Sequence, residues 1–291
     1  MTAYLINLAT IAAIFGILSA TLNFMVGHAG IFSVAHAVFM GVGAYSGAQV
    51  ALRLVPDPLL ACLVAAVVSG GLSLCLALPA LRVRGEYFVA ASLGLQMMAV
   101  TLFSEAKFAT GGIGGLVAIP RPILFGVEAP VLPLALAVLA LVLGLMSALT
   151  RGSFGRTLGA IRDAESAAEA LGKNVAAAKA LAVAFACAGA GMAGALFALH
   201  LSFVNVESFT LEQSVLIMAM LIVGGTGTLW GPILGAVLLL ALPAGLSFLP
   251  FIPATEVGAV QQIIYGGAMA LLMIFRPAGL LGDQKRGRSE A

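Results

Sequence analysis

Charge is scarce in this sequence. Only 9% of the 291 residues are charged, with 14 Lys and Arg against 12 Asp and Glu, while 62% are hydrophobic. Soluble domains carry about 25% charged residues, and a mean hydropathy of +1.13 points the same way. The composition is that of a membrane protein. The net charge is +2, and the basic residues are segregated by loop, not gathered in one patch, which argues against a nucleic-acid partner. Cysteine is equally sparse. Cys62, Cys75 and Cys187 all lie in apolar blocks and read as small core residues.

Catalytic machinery is also lacking. No G-x-x-x-x-G-K-[ST] phosphate loop exists: the single Gly-Lys pair, Gly172-Lys173, is followed by Asn174. ATP hydrolysis by this chain is therefore not expected. No H-E-x-x-H occurs, and His28 and His36 have no nearby carboxylate to complete a metal site. Ionisable residues in mid-span are nearly absent apart from His36. A proton-coupled carrier needs such groups, whereas a sodium-driven one can use backbone carbonyls. An intramembrane enzyme has no residue to nominate. Residues 1–22 lack the basic n-region of a signal peptide and read as a first span.

What is present is a series of apolar blocks. A helix needs about 20 such residues to cross the hydrocarbon core. The pattern predicts an all-α polytopic bundle of about eight to ten spans: 4–22, 31–52, 59–80, 87–104, 131–150, 178–200, 211–224 (short enough to be a broken helix), 231–249 and 258–275. Strict alternation puts Arg82, Arg84, Arg151, Arg156, Arg162, Lys173, Lys179, Arg276, Lys285, Arg286 and Arg288 on one side, and Arg53, Lys107 and Arg121 on the other. The positive-inside rule makes the first side cytoplasmic. It leaves the N-terminus outside and the C-terminus inside, with 1–291 forming a single transmembrane domain.

Glycine is abundant, with 35 residues. Gly43-x-x-x-Gly47 and Gly227-x-x-x-Gly231-x-x-x-Gly235 predict close helix packing, with a bare-backbone gate or pore lining as the alternative. Gly189-x-Gly191-x-x-Gly194 matches a dinucleotide fingerprint, but it lies in an apolar helix with no strand before it and reads as a packing face.

The cytoplasmic loop 151–177 reads as a short helix with both ends marked. Asp163 suits the N-cap, Glu165 the positive end of the dipole, and Gly172 the C′ stop. About nine residues are too few for a stable isolated helix, so this one needs a surface to pack on. Ala164, Ala168 and Leu171 share one face. That face fits either a groove on a partner or the chain's own cytoplasmic surface.

At this loop the sequence resembles the branched-chain amino-acid ABC permease family, LivM type. The run G-R-x-L-x-A-I-R-D-x-E-x-A-A-x-A-L-G extends from Gly155 to Gly172. Gly30-Ile31-Phe32-Ser33 with Phe39 to Tyr45, Arg82 to Phe88, Thr110 to Leu116, Gly224 to Thr228 with Gly231-Pro232, and Arg276 to Leu280 continue the likeness in order. One departure is Ala35-His36, where the family pattern is Leu-Gly-His-like. The resemblance implies a pair of permease subunits, this one with a LivH-like partner, plus two cytoplasmic ATPases that bind ATP and Mg and an extracytoplasmic solute-binding protein. No cofactor is implied in this chain. The location implied is the bacterial inner membrane.

The resemblance also makes the loop helix a coupling helix, with Arg162, Asp163, Glu165, Ala168, Leu171 and Gly172 meeting the ATPase. Polar groups within spans, Ser33, His36, Tyr45, Gln96 and Thr101, are its candidates for the solute path. The implied solute is a branched-chain or related amino acid. Relatives that carry urea, amides or small aromatic acids, and a secondary carrier or channel, are the alternatives.

Overall fold

The computed structural model describes residues 2–80, 86–124, 127–246, 260, 262–264, 266–267 and 279–281. It is helical, apart from a two-residue hairpin of β1 (Ile123–Leu124) and β2 (Val127–Glu128). The helices are α1 (Thr2–Asn23), α2 (His36–Arg53), α3 (Pro58–Ala80), α4 (Glu86–Glu105), α5 (Lys107–Thr110), α6 (Val131–Arg151), α7 (Ser153–Asp163), α8 (Glu165–Ala170), α9 (Val175–Leu201), α10 (Leu211–Gly224) and α11 (Gly231–Leu246). The loop carrying Arg82 and Arg84, most of the span expected at 258–275 and residues 276–278 lie outside the described residues.

Five segments among the described residues are long and apolar enough to cross a membrane: Thr2–His28, Pro58–Cys75, Tyr87–Glu105, Val131–Arg151 and Val175–Leu201. Helices α10 and α11 are shorter, as the apolar pattern suggested for 211–224. Large apolar side chains face outward from several spans, among them Leu63 and Val67 of α3, Met97 and Leu102 of α4, and Leu136 and Leu141 of α6. In water each would be a liability; in a bilayer they are the natural surface.

The expected span 31–52 needs correction. Helix α1 continues as one π-helical stretch, Phe24–His28, and residues 29–35 are not helical; α2 begins only at His36. Hydropathy counts 31–35 as apolar and cannot see the break. Irregular backbone at membrane depth survives only where protein satisfies it. Here Ser92 Oγ accepts from Val34 N at 3.0 Å, Ser33 Oγ from Ala35 N at 3.3 Å and Ser214 Oγ from Ala37 N at 3.1 Å. Helix α9 also starts earlier than the expected 178, at Val175, where Asn174 caps Ala177 N at 3.0 Å.

The centre of the bundle is α2, α3 and α9, joined through glycine. A Cβ at Gly43 would overlap the Gly191 backbone, and one at Gly194 would overlap the Met40 carbonyl. At Gly47 it would meet the Ala195 Cβ at 2.6 Å. The Gly189–Gly194 run is thus a packing face. Gly231 and Gly235 of α11 press on α10 in the same manner, at Gly224 and Met220. Gly227 does not share that helix face, contrary to the expected triple repeat. It sits in the α10–α11 linker at φ +77°.

Contacts between loops sort the helix ends into two sets. At one end Gln49 Nε2 donates to the Ala109 carbonyl at 2.7 Å, Leu116 pairs with Val204, and Ile123 N donates to the Pro56 carbonyl at 2.8 Å. At the other, residues 27–30, α7, the 225–228 linker and Leu280 meet. Arg53, Lys107 and Arg121 belong to the first end, and Arg151, Arg156, Arg162, Lys173 and Lys179 to the second. The charge segregation seen in the sequence is therefore also a segregation in space.

Candidate functional site

At the more basic end, the loop folds as two helices. Helix α7 runs to Asp163, the chain extends at Ala164 (φ −157°, ψ 90°), and α8 follows. This corrects the expected cap. Asp163 is the last residue of α7, and its carboxylate is forked by Arg162 instead, with Nε at 2.9 Å and Nη2 at 2.7 Å. An adjacent guanidinium is a stronger partner for a carboxylate than orphan N–H groups. Helix α8 has six residues, not nine. Its C-terminus is as expected: Gly172 lies at φ +76°, its N–H donates to the Glu169 carbonyl at 2.9 Å, and Lys173 N donates to the Ala168 carbonyl at 3.1 Å. These are the two bonds of a Schellman stop.

So short a helix needs support, and this chain supplies part of it. Ala168 is buried, and Glu165 Oε1 pairs with Lys179 Nζ of α9 at 2.8 Å. Arg162 points inward: Nη1 donates to the Gly27 carbonyl at 2.8 Å, and its stem covers Gly30. Asp163, Leu171 and Gly172 face away, with Leu171 79% exposed. The expected face of Ala164, Ala168 and Leu171 is therefore divided, because the break at Ala164 turns α8 over its own support. Sequence reasoning had no local signal for the Arg162–Gly27 contact, which joins residues far apart in the chain.

One turn from Gly27, buried Asn23 ties α1 to the α10–α11 linker. Its Nδ2 donates to the Thr228 carbonyl at 2.7 Å, and its Oδ1 accepts from Gly227 N at 2.8 Å. The amide is satisfied at both ends, so it fixes the linker against the break in the first span.

A cavity of about 280 Å³ opens beside that break. Met25, Phe39, Phe88, Leu95, Met98 and Val183 supply most of its apolar wall, and Ser33, His36 and Ser92 line it as well. Thr21 Oγ1 gives its proton to the Leu18 carbonyl at 2.9 Å and so accepts from His36 Nε2 at 3.0 Å. That assignment leaves His36 Nδ1 as a lone-pair acceptor, and it is buried with no hydrogen-bond partner.

Two of the five expected path residues, Ser33 and His36, thus meet at one cavity. The other three do not line it. Gln96 bridges elements: its Nε2 donates to the Phe209 carbonyl at 2.7 Å, and its Oε1 accepts from Ser214 at 3.0 Å. Tyr45 is packed between Phe103 and Phe209, with ring centroids at 5.2 and 5.7 Å. Thr101 donates to its own helix at Met97 on the exposed side of α4. Ser92 and Gly94, which do line the cavity, were missed because a serine and a glycine in an apolar helix give no distinctive signal.

The family model described as "Branched-chain amino acid transport system / permease component" matches residues 4–275. Two relatives described as "High-affinity branched-chain amino acid transport system permease protein LivM", from Salmonella typhimurium and Escherichia coli, are 31% and 30% identical over 305 residues, covering 95% of this chain and 69% of theirs. The "Autoinducer 2 import system permease protein LsrC" of Klebsiella pneumoniae is 34% identical over 161 residues, 54% of this chain and 46% of that protein. No solved structure matches.

Proposed function

The chain belongs to the family of branched-chain amino acid transport-system permease components, and from that membership we propose that it is one membrane subunit of an ATP-driven importer for branched-chain or related amino acids. The observation that carries this reading is the family match across residues 4–275, nearly the whole chain. The protein is multi-pass and resides in the bacterial inner membrane, with its N-terminus outside and its more basic end in the cytoplasm. Its partners are a LivH-like second permease, two ATPases that bind ATP and Mg, and an extracytoplasmic binding protein that delivers the solute. The sequence has no phosphate loop, so hydrolysis belongs to the ATPases. The complex reconstituted in liposomes is expected to take up L-leucine only with ATP and loaded binding protein. Uptake without the ATPases would overturn the reading.

Within that complex, the end of α8 is the ATPase contact. The support is its exposure: Leu171 is a large apolar side chain held out from the basic end by a satisfied helix stop. Burying a leucine contributes about 1.5–3 kcal/mol, so Leu171→Asp is expected to weaken ATPase binding tenfold or more. Co-purification from detergent measures it, with membrane insertion unchanged. Co-purification of the variant at the native level would remove α8 from the interface.

A further inference from the structure

We propose that the cavity beside the α1 break is a transient binding subsite for one aliphatic amino acid, and that Gly94 sets the size it admits. The proposal rests on the importer reading and adds a place, a chemistry and a size limit to it.

The cavity's volume of about 280 Å³ falls just under the roughly 300–1,000 Å³ of pockets for drug-sized ligands. It suits a solute the size of a single amino acid. Its polar lining is gathered in one place. Ser33 and His36 flank the start of α2, and Ser92 is drawn to the same spot by its bond to Val34 N. The remaining wall is largely apolar, and among the described residues no charged side chain lines it.

The polar end is built from hydroxyls: Ser33 Oγ accepts from Ala35 N and Ser92 Oγ from Val34 N, while His36 is 1% exposed with its Nδ1 buried. The polar end of an amino acid lies beside these serines, while an aliphatic side chain lies against Phe39, Phe88, Leu95 and Met98. With no cation among the described lining residues to hold the carboxylate, binding stays weak. A site that must release its solute onward needs to be weak.

Gly94 provides the size limit. A Cβ built there meets nothing within 4 Å, and its φ is not in the left-handed region. Neither packing nor backbone demands a glycine, although in a helix it costs about 0.5–1 kcal/mol relative to alanine. What the missing side chain leaves is open volume at the cavity edge. Ala91, Gly94 and Met98, at i, i+3 and i+7 of α4, line the cavity and are also exposed, so this face forms its mouth.

The test uses the complete importer in liposomes with Gly94→Ala and Gly94→Leu. Gly94→Leu is expected to lower L-leucine uptake at least tenfold and L-alanine uptake less, with Gly94→Ala near the native rate. Subunit assembly, read by co-purification, should match the native complex. L-leucine uptake by assembled Gly94→Leu within twofold of native would overturn the subsite, as would equal loss for both solutes. The importer reading would survive either result; it fails if the native complex shows no ATP-dependent uptake or takes up solute without the ATPases. A second measurement uses Gly94→Cys in a background of Cys62→Ala, Cys75→Ala and Cys187→Ala. L-leucine present during turnover is expected to slow its reaction with a small methanethiosulfonate at least fivefold. Labelling that ignores L-leucine would also overturn the proposal.

Discussion

Arg162→Met is expected to leave the importer assembled and hydrolysing ATP while lowering solute uptake tenfold or more. Arg162 lies in the last turn of α7, two residues before the break at Ala164 that precedes α8. Its guanidinium makes three bonds in two directions, to the Gly27 carbonyl at 2.8 Å and to Asp163 at 2.9 and 2.7 Å. The Gly27 carbonyl lies in the π-helical end of the first span, where backbone acceptors lack the ordinary helical partner. From there Asn23 reaches Gly227 and Thr228, in the linker between the two short spans α10 and α11. A displacement delivered at α8 thus has a short polar route to both discontinuities in the bundle. Methionine keeps the stem over Gly30 and removes every bond. Hydrogen bonds to charged groups are worth about 1.5–3 kcal/mol each, so the route is severed without opening a cavity. Arg162→Lys should not restore transport fully, because an ammonium cannot reproduce the fork. The ratio of solute moved to ATP hydrolysed, measured on one preparation, decides the matter. An unchanged ratio would exclude this contact from coupling.

The sequence exposed some of this arrangement and concealed the rest for identifiable reasons. The spans near 4–22, 59–80, 87–104 and 131–150 were legible because an uninterrupted apolar block has few alternatives to a crossing helix. The Gly189–Gly194 run was legible as packing because it had no strand before it. The break at residues 29–35 was not legible. Its backbone is satisfied by Ser92 and Ser214, which lie remote in sequence, and hydropathy treats Ile31 to Ala35 as ordinary membrane sequence. Asp163 was misread because a capping residue and an ion-pair partner look the same in a string of letters; the adjacent Arg162 took the carboxylate. His36 was visible as a lone ionisable residue in a span. Gly94 was not, since its contribution is the volume it leaves empty.

The largest effect on the fold is expected from Gly194→Val. A Cβ at Gly194 would overlap the Met40 carbonyl and stand 2.8 Å from Ala44 N, both backbone atoms of α2. Side chains can rotate away from an intruder, but a helical backbone moves only as a body. The whole α2–α9 seam, including Gly43 on Gly191 and Gly47 on Ala195, would have to part. Lipid tails are as apolar as the helix faces, so helix association in a bilayer depends on this close approach and not on a hydrophobic driving force. Overpacking a core costs about 1–3 kcal/mol, occasionally more, and here each lost contact lies on the same seam. Gly71 and Gly144 provide the control. An added Cβ at either meets nothing within 4 Å, and Gly→Ala there should stabilise the helix by about 0.5–1 kcal/mol. Thermal unfolding in detergent, followed by size-exclusion recovery, should rank Gly71→Ala and Gly144→Ala at or above the native chain and Gly194→Val far below it. Equal recovery for Gly194→Val and Gly71→Ala would mean that α2 and α9 do not meet at these glycines. The cavity depends on the same seam, because His36 and Phe39 come from α2, and Val183 and Cys187 from α9. A variant that wedges the seam apart should therefore lose transport at temperatures where it remains folded.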